Sequence, residues 1–271
     1  MKKLGYSVCL ILIVAFMTSC ASFYGVGKQG PVLSSILEKG ELVVGTAGGM
    51  PPLNMTTKNG DIIGFEVDLA EILADSLGVT LRMEAIPFPE LLPALEAGKI
   101  DIILSGMTIT PDRNLKVAFA GPYYESGKAL LTNVGNLASL QRAEIFNIKA
   151  TVVTLEGSTS QYFVEGAIPG ANLVTTKDYD SAIKMVLNGQ ADAMVADYPI
   201  CVTTLLRHPN AGFISIFTSL TYEPIGIAMP LGDPHFLGWM NNMLNTLEKI
   251  GRIEELEVKW FEDASWISQL P

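Results

Sequence analysis

The sequence predicts an α/β fold that consists of two doubly wound lobes joined by two extended strands. Three observations lead to this prediction. Short apolar runs alternate with segments of helical spacing twice along the chain, which is typical of parallel sheets covered by helices. Two further β-rich segments are present: 127–132 follows the first unit, and 222–230 follows the second. Apolar residues make up 49% of the chain, which is enough for a sizeable core.

The first unit begins with a predicted strand over residues 42–45, which leads into the irregular loop 46–52. From Phe65 to Leu77 the apolar residues follow helical spacing, and Gly78 is the predicted C-terminal cap. The unit continues with a strand, a helix and a short apolar strand at 80–85, 90–97 and 102–104.

The second unit repeats this order from Thr151 onwards. Its predicted elements are the strand 151–155, a helix from Ser158, the strand 173–175, the helix 178–188 and the strand 193–196. Residues 95–104 and 187–195 echo each other, because in both a helix stop and a turn lead through Asp101 or Asp192 into a buried strand.

The two β-rich segments are interpreted as two crossings between the lobes. The first lobe is then discontinuous. We expect residues 39–130 and 224–271 to form lobe 1, with C-terminal helices over about 235–260, and residues 131–223 to form lobe 2.

Residues 1–19 are predicted to be an export signal. Lys2 and Lys3 precede a short apolar stretch over residues 8–17, which small residues follow. A membrane-spanning helix needs roughly 20 apolar residues, so this stretch is too short to be one. We expect the mature protein in the periplasm or at the cell surface.

Residues 17–20, Met-Thr-Ser-Cys, resemble the lipobox of bacterial lipoproteins, in which the signal is cut before a cysteine that carries diacylglycerol. Lipidation of Cys20 is therefore expected, with residues 20–38 as the lipid tether and linker, where several glycines allow flexibility. The alternative is an ordinary signal peptide with an incidental cysteine.

The charge and cysteine content exclude several classes of protein. Removing Lys2 and Lys3 lowers the basic count from 18 to 16 against 28 acidic residues, so the mature charge is about −12. Such a surface argues against nucleic acid and anionic membranes as partners. With Cys9 cut off and Cys20 lipidated, Cys201 remains alone, and we expect it to be a small buried hydrophobe rather than part of a disulfide.

The two histidines of the chain, His208 and His235, are isolated from each other and from other ligating residues. They provide neither a metal-ligand set nor a catalytic triad. We therefore expect no metal, no cofactor and no catalytic residues.

In open α/β sheets, ligands bind beyond the carboxyl ends of the strands. The loop after the strand 102–104 carries Ser105, Thr108 and Arg113, with Thr110 as the predicted N-cap of a short helix. Arg113 is either a surface charge in a weak ion pair or a guanidinium that holds a carboxylate.

A second candidate anion site follows the strand 151–155, where Ser158 and Thr159 begin a helix with free backbone N–H groups. Ordinary helix capping is the alternative. Paired with Arg113 across a cleft, this helix start would form a carboxylate clamp. Asp197 follows the strand 193–196, where it would either take an ammonium group or cap the next helix.

Four stretches of the chain carry a family resemblance. They are Gly64-Phe65-Glu66-Val67-Asp68-Leu69-Ala70, Leu91-Leu92-Pro93-Ala94-Leu95 to Asp101, 105–113 with 117–123, and Gly157-Ser158-Thr159 with Ala196-Asp197. Together they resemble the family 3 extracellular solute-binding proteins, the amino-acid binders of ABC importers, over almost the whole chain from residue 42. The resemblance implies a periplasmic-binding-protein-like fold with a ligand cleft between the lobes, a monomer, an amino acid as ligand and an ABC permease as partner.

The resemblance also implies a role for each candidate residue. Arg113 would pair with the α-carboxylate of the ligand, assisted by Thr108 and by the amides and hydroxyls of Ser158 and Thr159. Asp197 would receive the α-ammonium group.

The carbonyl of Ser105 or Gly106 would assist Asp197. Phe88 would lie against the ligand side chain, and Met50 stands in the first loop where members often carry an aromatic residue. Five residues together predict a partly apolar pocket and a neutral or moderately polar ligand. They are Met50, Leu53, Phe88, Tyr162 and Tyr198.

Two other functions are alternatives to ligand capture for transport. An enzyme resembling cyclohexadienyl dehydratase would need a carboxyl acid in the cleft, for which Glu66 and Glu125 are candidates by position. An extracellular sensor module would need a separate partner to transmit its signal. We expect the chain not to be an enzyme.

Overall fold

A computed structural model describes residues 30–139, 142–216 and 220–271. The described chain contains two five-stranded sheets and one three-stranded sheet, with helices packed against them, so the predicted α/β class is confirmed. The predictions for the export signal and for lipidation of Cys20 lie outside the described residues.

The strands are β1 Glu41–Thr46, β2 Gly49–Met50, β3 Asn54–Thr56, β4 Ile62–Ile63, β5 Thr80–Ala85, β6 Ile102–Ile103, β7 Ala118–Ser126, β8 Lys128–Thr132, β9 Thr151–Leu155, β10 Asn172–Thr176, β11 Ala193–Asp197, β12 Ile214–Ile216 and β13 Glu223–Met229. The α-helices are α1 Pro31–Lys39, α2 Phe65–Leu77, α3 Leu91–Glu96, α4 Pro111–Asn114, α5 Gly135–Ala138, α6 Arg142–Ile145, α7 Thr159–Ala167, α8 Tyr179–Leu187, α9 Tyr198–Arg207, α10 Pro234–Lys249 and α11 Arg252–Glu257. None of these described helices is long and apolar enough to cross a membrane.

The first large sheet has the strand order β5-β1-β6-β13-β7, in which β5, β1 and β6 are parallel and β13 is antiparallel to both of its neighbours. Helix α2 packs against this sheet with Phe65, Leu69 and Leu73 buried. It ends where predicted, because Gly78 adopts a left-handed φ of 70° that side-chain-bearing residues rarely tolerate.

The second large sheet has the order β10-β9-β11-β8-β12, with β10, β9 and β11 parallel and β8 antiparallel to β11. The two similar segments, 95–104 and 187–195, have the same structural role in their two sheets. Asp101 accepts a hydrogen bond of 2.7 Å from the backbone N–H of Val43, and Asp192 accepts one of 2.7 Å from that of Thr151. Each aspartate therefore fastens the turn before a strand to the strand beside it.

The chain passes from the first large sheet to the second between Ser126 and Lys128, and it is back in the first at Glu223. The predicted extended segments are confirmed as β8 and β13, and each of these strands lies wholly within one sheet. The division into lobes at 130/131 and 223/224 stays a prediction.

The first loop is more regular than predicted. Strand β2 lies within residues 46–52 and pairs with β3, which in turn pairs with β4, so the loop begins a small antiparallel sheet. The pairing fixes Met50, which is buried, at the carboxyl end of β1.

Candidate functional site

The loops at the carboxyl ends of β6, β9 and β11 meet around a small cavity, which we call the clamp cavity. Its lining residues are Met50, Phe88, Gly106, Thr108, Arg113, Leu155, Ser158, Thr159, Tyr179 and Asp197. All the candidate binding residues except Ser105 are among them. The cavity measures about 10 Å³, close to the roughly 10 to 15 Å³ that a cavity needs to hold a single water molecule. A ligand can enter only if the walls of the cavity move apart.

Arg113 spans the two sheets through its guanidinium group. The short helix α4 positions it, because the hydroxyl of Thr110 caps this helix by accepting a 3.2 Å hydrogen bond from the Arg113 backbone N–H, as predicted. Nη1 donates to the carbonyl of Thr108 at 2.9 Å, and Nη2 donates to the carbonyl of Gly157 at 3.1 Å. The side chain also lies over the Phe88 ring, 5.8 Å from its centroid.

The charge of Arg113 is not neutralised by a contacting carboxylate among the described residues, because its hydrogen bonds there end on carbonyl oxygens. The residue is only 8% exposed. Burial lowers the pKa of the guanidinium below its usual value, and the charge of Asp197 nearby acts in the opposite direction. A buried cation of this kind favours an anionic group as its partner.

The hydroxyls of Thr108 and Thr159 come from the segments that follow β6 and β9, in different sheets, and converge on one carboxylate oxygen. Thr108 Oγ1 donates to Glu223 Oε2 at 2.9 Å, and Thr159 Oγ1 donates to the same oxygen at 2.8 Å. The two hydroxyl oxygens are 3.4 Å apart. Glu223, at the start of β13, therefore occupies the donors that the sequence assigns to a ligand carboxylate.

Asp197 ends β11 and is buried beside Lys128. The Nζ atom of Lys128 lies 2.7 Å from Asp197 Oδ1 and 3.3 Å from Glu223 Oε2. The hydroxyl of Tyr179 donates to Asp197 Oδ2 at 3.3 Å, and burial, followed by the charge of Asp197, raises the pKa of that phenol. Asp197 begins helix α9 without a side-chain capping bond, so the capping alternative does not describe it.

Ser158, Ser105 and Gly106 have structural partners in addition to their place at the site. Ser158 Oγ accepts from the Gln161 backbone N–H at 3.2 Å and donates to the Leu155 carbonyl at 2.6 Å, which is ordinary helix capping. Ser105 Oγ accepts from the backbone N–H of Ala47 at 2.8 Å. Gly106 has a φ of 58°, and a Cβ atom there would overlap the sulfur of Met50.

A second cavity of about 250 Å³, which we call the side-chain pocket, adjoins the clamp cavity. Its lining residues are Ala47, Gly49, Met50, Ala85, Ile86, Pro87, Phe88, Leu155, Lys177, Asp178 and Tyr179. Met50, Phe88, Leu155 and Tyr179 line both cavities. Met50 and Phe88 lie beside this pocket, and their contact with a ligand side chain stays a prediction.

The remaining residues proposed for an apolar pocket line neither cavity. Leu53 is buried in the core and lines neither cavity, and Tyr162 and Tyr198 are exposed. On helices α7 and α9, these tyrosines point outward, because the faces of those helices that pack on the second sheet carry other residues, such as Val164 and Ile200. Position in sequence near a helix start did not distinguish the two faces.

Sequence reasoning missed Lys128 and Glu223, which bring charge into the site. Each stands near the start of an apolar strand, β8 or β13, and both are at least 95% buried. A single charged residue within a buried strand is costly unless it is paired, so this pattern is the signal that could have identified them. Tyr179 had no comparable signal.

The acids considered for catalysis have other roles. Glu66 is completely buried and accepts hydrogen bonds from Asn54 Nδ2 and the Gly106 backbone N–H, both at 2.6 Å, and from the hydroxyl of Tyr123. Glu125 accepts a 2.7 Å bond from the hydroxyl of Tyr222. Neither lines the clamp cavity. In the described residues, no group of His, Cys, Asp and Glu is arranged to hold a metal ion.

A larger cavity lies away from the clamp cavity. It measures about 860 Å³ and lies between β7 and helices α10 and α11. Four glutamates line it, namely Glu125, Glu248, Glu254 and Glu257, and none of the candidate binding residues does.

Cys201 is completely buried, as predicted, and burial raises the pKa of its thiol to about 12.

The sequence shows similarity to known proteins over nearly its whole length. It is 27% identical over 261 residues to the L-cystine-binding protein of Escherichia coli (strain K12), which covers 96% of this chain and 97% of that protein. It is 27% identical over 274 residues to an ABC transporter glutamine-binding protein of Bacillus subtilis (strain 168), which covers 97% of this chain and 98% of that protein.

The fold resembles a solved structure with a ligand. The binding component of an ABC transporter from Wolinella succinogenes DSM 1740, complexed with lysine, matches with a TM-score of 0.81 and 37% identity over 85% of this chain and 99% of that one. Residues 42–263 match the sequence pattern of the bacterial extracellular solute-binding proteins, family 3. That match spans most of the chain, and it includes all the loops and strands that build the clamp cavity. The protein therefore belongs to family 3 of the bacterial extracellular solute-binding proteins.

Proposed function

We propose that this protein captures an α-amino acid for an ABC importer, with Arg113 binding the α-carboxylate and Asp197 binding the α-ammonium group. The observation that carries the proposal is the arrangement of the clamp cavity. A buried guanidinium that contacts no carboxylate among the described residues and a buried carboxylate line the same small space. Similarity to the cystine-binding and glutamine-binding proteins supports an amino acid as the ligand.

The charges around the cavity favour a zwitterion. Arg113 and Lys128 are balanced by Asp197 and Glu223 among the described residues at the site. A zwitterion adds no net charge to this buried set, whereas a ligand that carries only a carboxylate adds an uncompensated negative charge. Charge-assisted contacts contribute about 1.5 to 3 kcal/mol each, so three or four of them support the roughly 8 kcal/mol of a micromolar site.

Binding requires a rearrangement of the hydroxyl donors. Thr108 and Thr159 both donate to Glu223, and they can serve a ligand carboxylate only by turning away from it. Because these threonines follow strands of different sheets, a ligand that engages both stabilises the arrangement in which the two sides of the cavity are close.

An enzyme on this scaffold has less support. A general acid must reach the reacting group, whereas Glu66 accepts three hydrogen bonds outside the clamp cavity and Glu125 does not line it. Export to the periplasm or the cell surface, tethering through Cys20, action as a monomer and delivery of the ligand to a membrane permease complete the proposal.

The test uses residues 30–271, unfolded, stripped of ligand and refolded. Thermal unfolding is measured with each common amino acid, with small carboxylates and with prephenate-like acids at millimolar concentration. A ligand at 1,000 times its dissociation constant adds roughly 4 kcal/mol and raises Tm by several degrees. The proposal predicts that one or a few amino acids do so and are recovered chemically unchanged. Stabilisation only by a compound that is not an amino acid, or conversion of the ligand, would refute it.

A further inference from the structure

The side-chain pocket has a composition that separates classes of amino acid. It shares Met50, Phe88, Leu155 and Tyr179 with the clamp cavity. A ligand whose α-groups lie between Arg113 and Asp197 therefore directs its side chain past these four residues. The following inference rests on the proposed function, because it takes the α-groups to be held in the clamp cavity.

The walls of this pocket present apolar atoms. Ala47, Gly49 and Met50 come from the first loop and β2, and Ile86 and Phe88 face them from the chain after β5. The first-loop residues contribute no polar side chain. With a volume of about 250 Å³, the pocket lies just below the roughly 300 to 1,000 Å³ of pockets that hold drug-sized ligands, so it suits one elongated side chain.

The two charged residues of the pocket, Lys177 and Asp178, are at its outer end. They differ in the partners that their side chains already have. Asp178 caps helix α8, with Oδ1 accepting from the Ser181 backbone N–H at 2.7 Å and Oδ2 accepting from the Ser181 hydroxyl at 2.9 Å. Lys177 is exposed and takes part in none of the ion pairs of the described chain. Asp178 accepts these bonds as a carboxylate, so the pocket holds one negative and one positive side chain.

We propose that the side-chain pocket selects neutral amino acids with a long apolar side chain, methionine and leucine above all, and rejects lysine and arginine. An apolar side chain gains free energy when it leaves water for these walls. A basic side chain would lose its hydration among apolar atoms, and Asp178, the one carboxylate among the lining residues, already accepts two hydrogen bonds and follows Lys177 in the chain. The pocket therefore discriminates by apolar contact and by the cost of removing a charged side chain from water.

Titration calorimetry on the stripped protein tests the proposal with methionine, leucine, glutamine, lysine and arginine. Methionine or leucine is expected to bind at least ten times more tightly than lysine and arginine. Lysine or arginine binding as tightly as the best neutral amino acid overturns the proposed selectivity while leaving amino-acid capture intact. Binding of none of the amino acids, with the protein folded by circular dichroism, overturns both.

A charge-reversal variant tests the part played by Lys177. Lys177→Glu is expected to tighten lysine or arginine binding at least tenfold and to change methionine binding less than threefold. Lys149→Glu makes the same change in net charge at an exposed position outside both cavities, and it should leave all five affinities unchanged within threefold. Equal effects of the two variants on lysine binding would mean that net charge alone is responsible, which contradicts the proposal.

Discussion

Lys128 and Asp197 form an ion pair of 2.7 Å that is buried between two neighbouring antiparallel strands, at the residue pair where β8 begins and β11 ends. Glu223 lies on the other side of the same ammonium group at 3.3 Å. One lysine thus compensates two buried carboxylates, and its removal would leave both without a contacting cation among the described residues. This relationship ties the proposed ammonium-binding residue to the stability of the fold.

Replacing the lysine should therefore destabilise the protein. Lys128→Ala is expected to lower the free energy of unfolding by about 3 to 5 kcal/mol, because a buried charge that loses its partner is strongly unfavourable. Urea denaturation at pH 7 measures the effect. Lys249→Ala removes an exposed lysine paired with Glu248 and should change stability by less than about 0.5 kcal/mol. Equal stabilities of the two variants would contradict the prediction.

The carboxyl group of Glu223 predicts one pH dependence. Its burial opposes ionisation, but Lys128 and the hydroxyls of Thr221, Thr159 and Thr108 outweigh burial and hold its pKa below the usual 4.5. The folded state then binds this proton more weakly than the unfolded state, so Glu223 stabilises the fold above about pH 4.5 and loses this effect as the pH falls through its folded pKa.

Glu223→Gln removes that titration. We expect the variant to be less stable than the wild type at pH 7, and the difference to shrink as the pH falls below 4.5. Urea denaturation between pH 7 and pH 3 gives the comparison, with the exposed Glu38→Gln as the control. A difference that stays constant over this range would show that Glu223 does not have the lowered pKa.

Glu66 predicts the opposite pH dependence. Burial raises its pKa above the usual 4.5, although hydrogen bonds from Tyr123, Gly106 and Asn54 act against this. The folded state then binds the proton more tightly, so stability from this group decreases as the pH rises from about 4.5 through its folded pKa. The stability of the wild type relative to Glu66→Gln should fall between pH 4 and pH 7. An unchanged difference, or the same slope for the exposed Glu71→Gln, would contradict the assignment.

Arg113 provides the direct test of the clamp. Arg113→Ala should weaken binding of the cognate amino acid by about 2 to 5 kcal/mol, because the α-carboxylate would be buried without its cation. Titration calorimetry measures the loss, and thermal unfolding verifies that the variant folds. Arg252→Ala removes an exposed arginine on α11 and should bind like the wild type. Affinity unchanged by Arg113→Ala would rule out the proposed carboxylate site.

Local patterns in the sequence were sufficient to predict most of the fold near the site. Helix α2 was predictable because its apolar spacing and Gly78 agree, and α4 because Thr110 and Pro111 are both favourable at a helix start. The small sheet of β2, β3 and β4 was not, since its strands of two or three residues are too short for an alternating pattern to emerge.

The sequence predicted the binding residues that lie near the ends of strands. It did not predict the residues that matter because they form an ion pair with a residue distant in sequence. Arg113 and Asp197 stand directly after buried strands or close to them, so topology alone brings them together. Lys128 and Glu223 lie 95 residues apart in sequence and become partners only because β8 and β13 start near the same place. Their mutual neutralisation depends on distances that sequence spacing does not contain.

The burial of Cys201 has a practical consequence for chemical labelling. Thiol-reactive dyes attack the thiolate, and burial raises the pKa of the Cys201 thiol to about 12, so very little of it is ionised at pH 7.5. In protein that begins at residue 30, this is the single cysteine of the chain. A cysteine introduced at an exposed position such as Tyr162 can then be labelled selectively without first removing the native thiol. The protein is thereby suited to conversion into a fluorescent reporter of its own ligand.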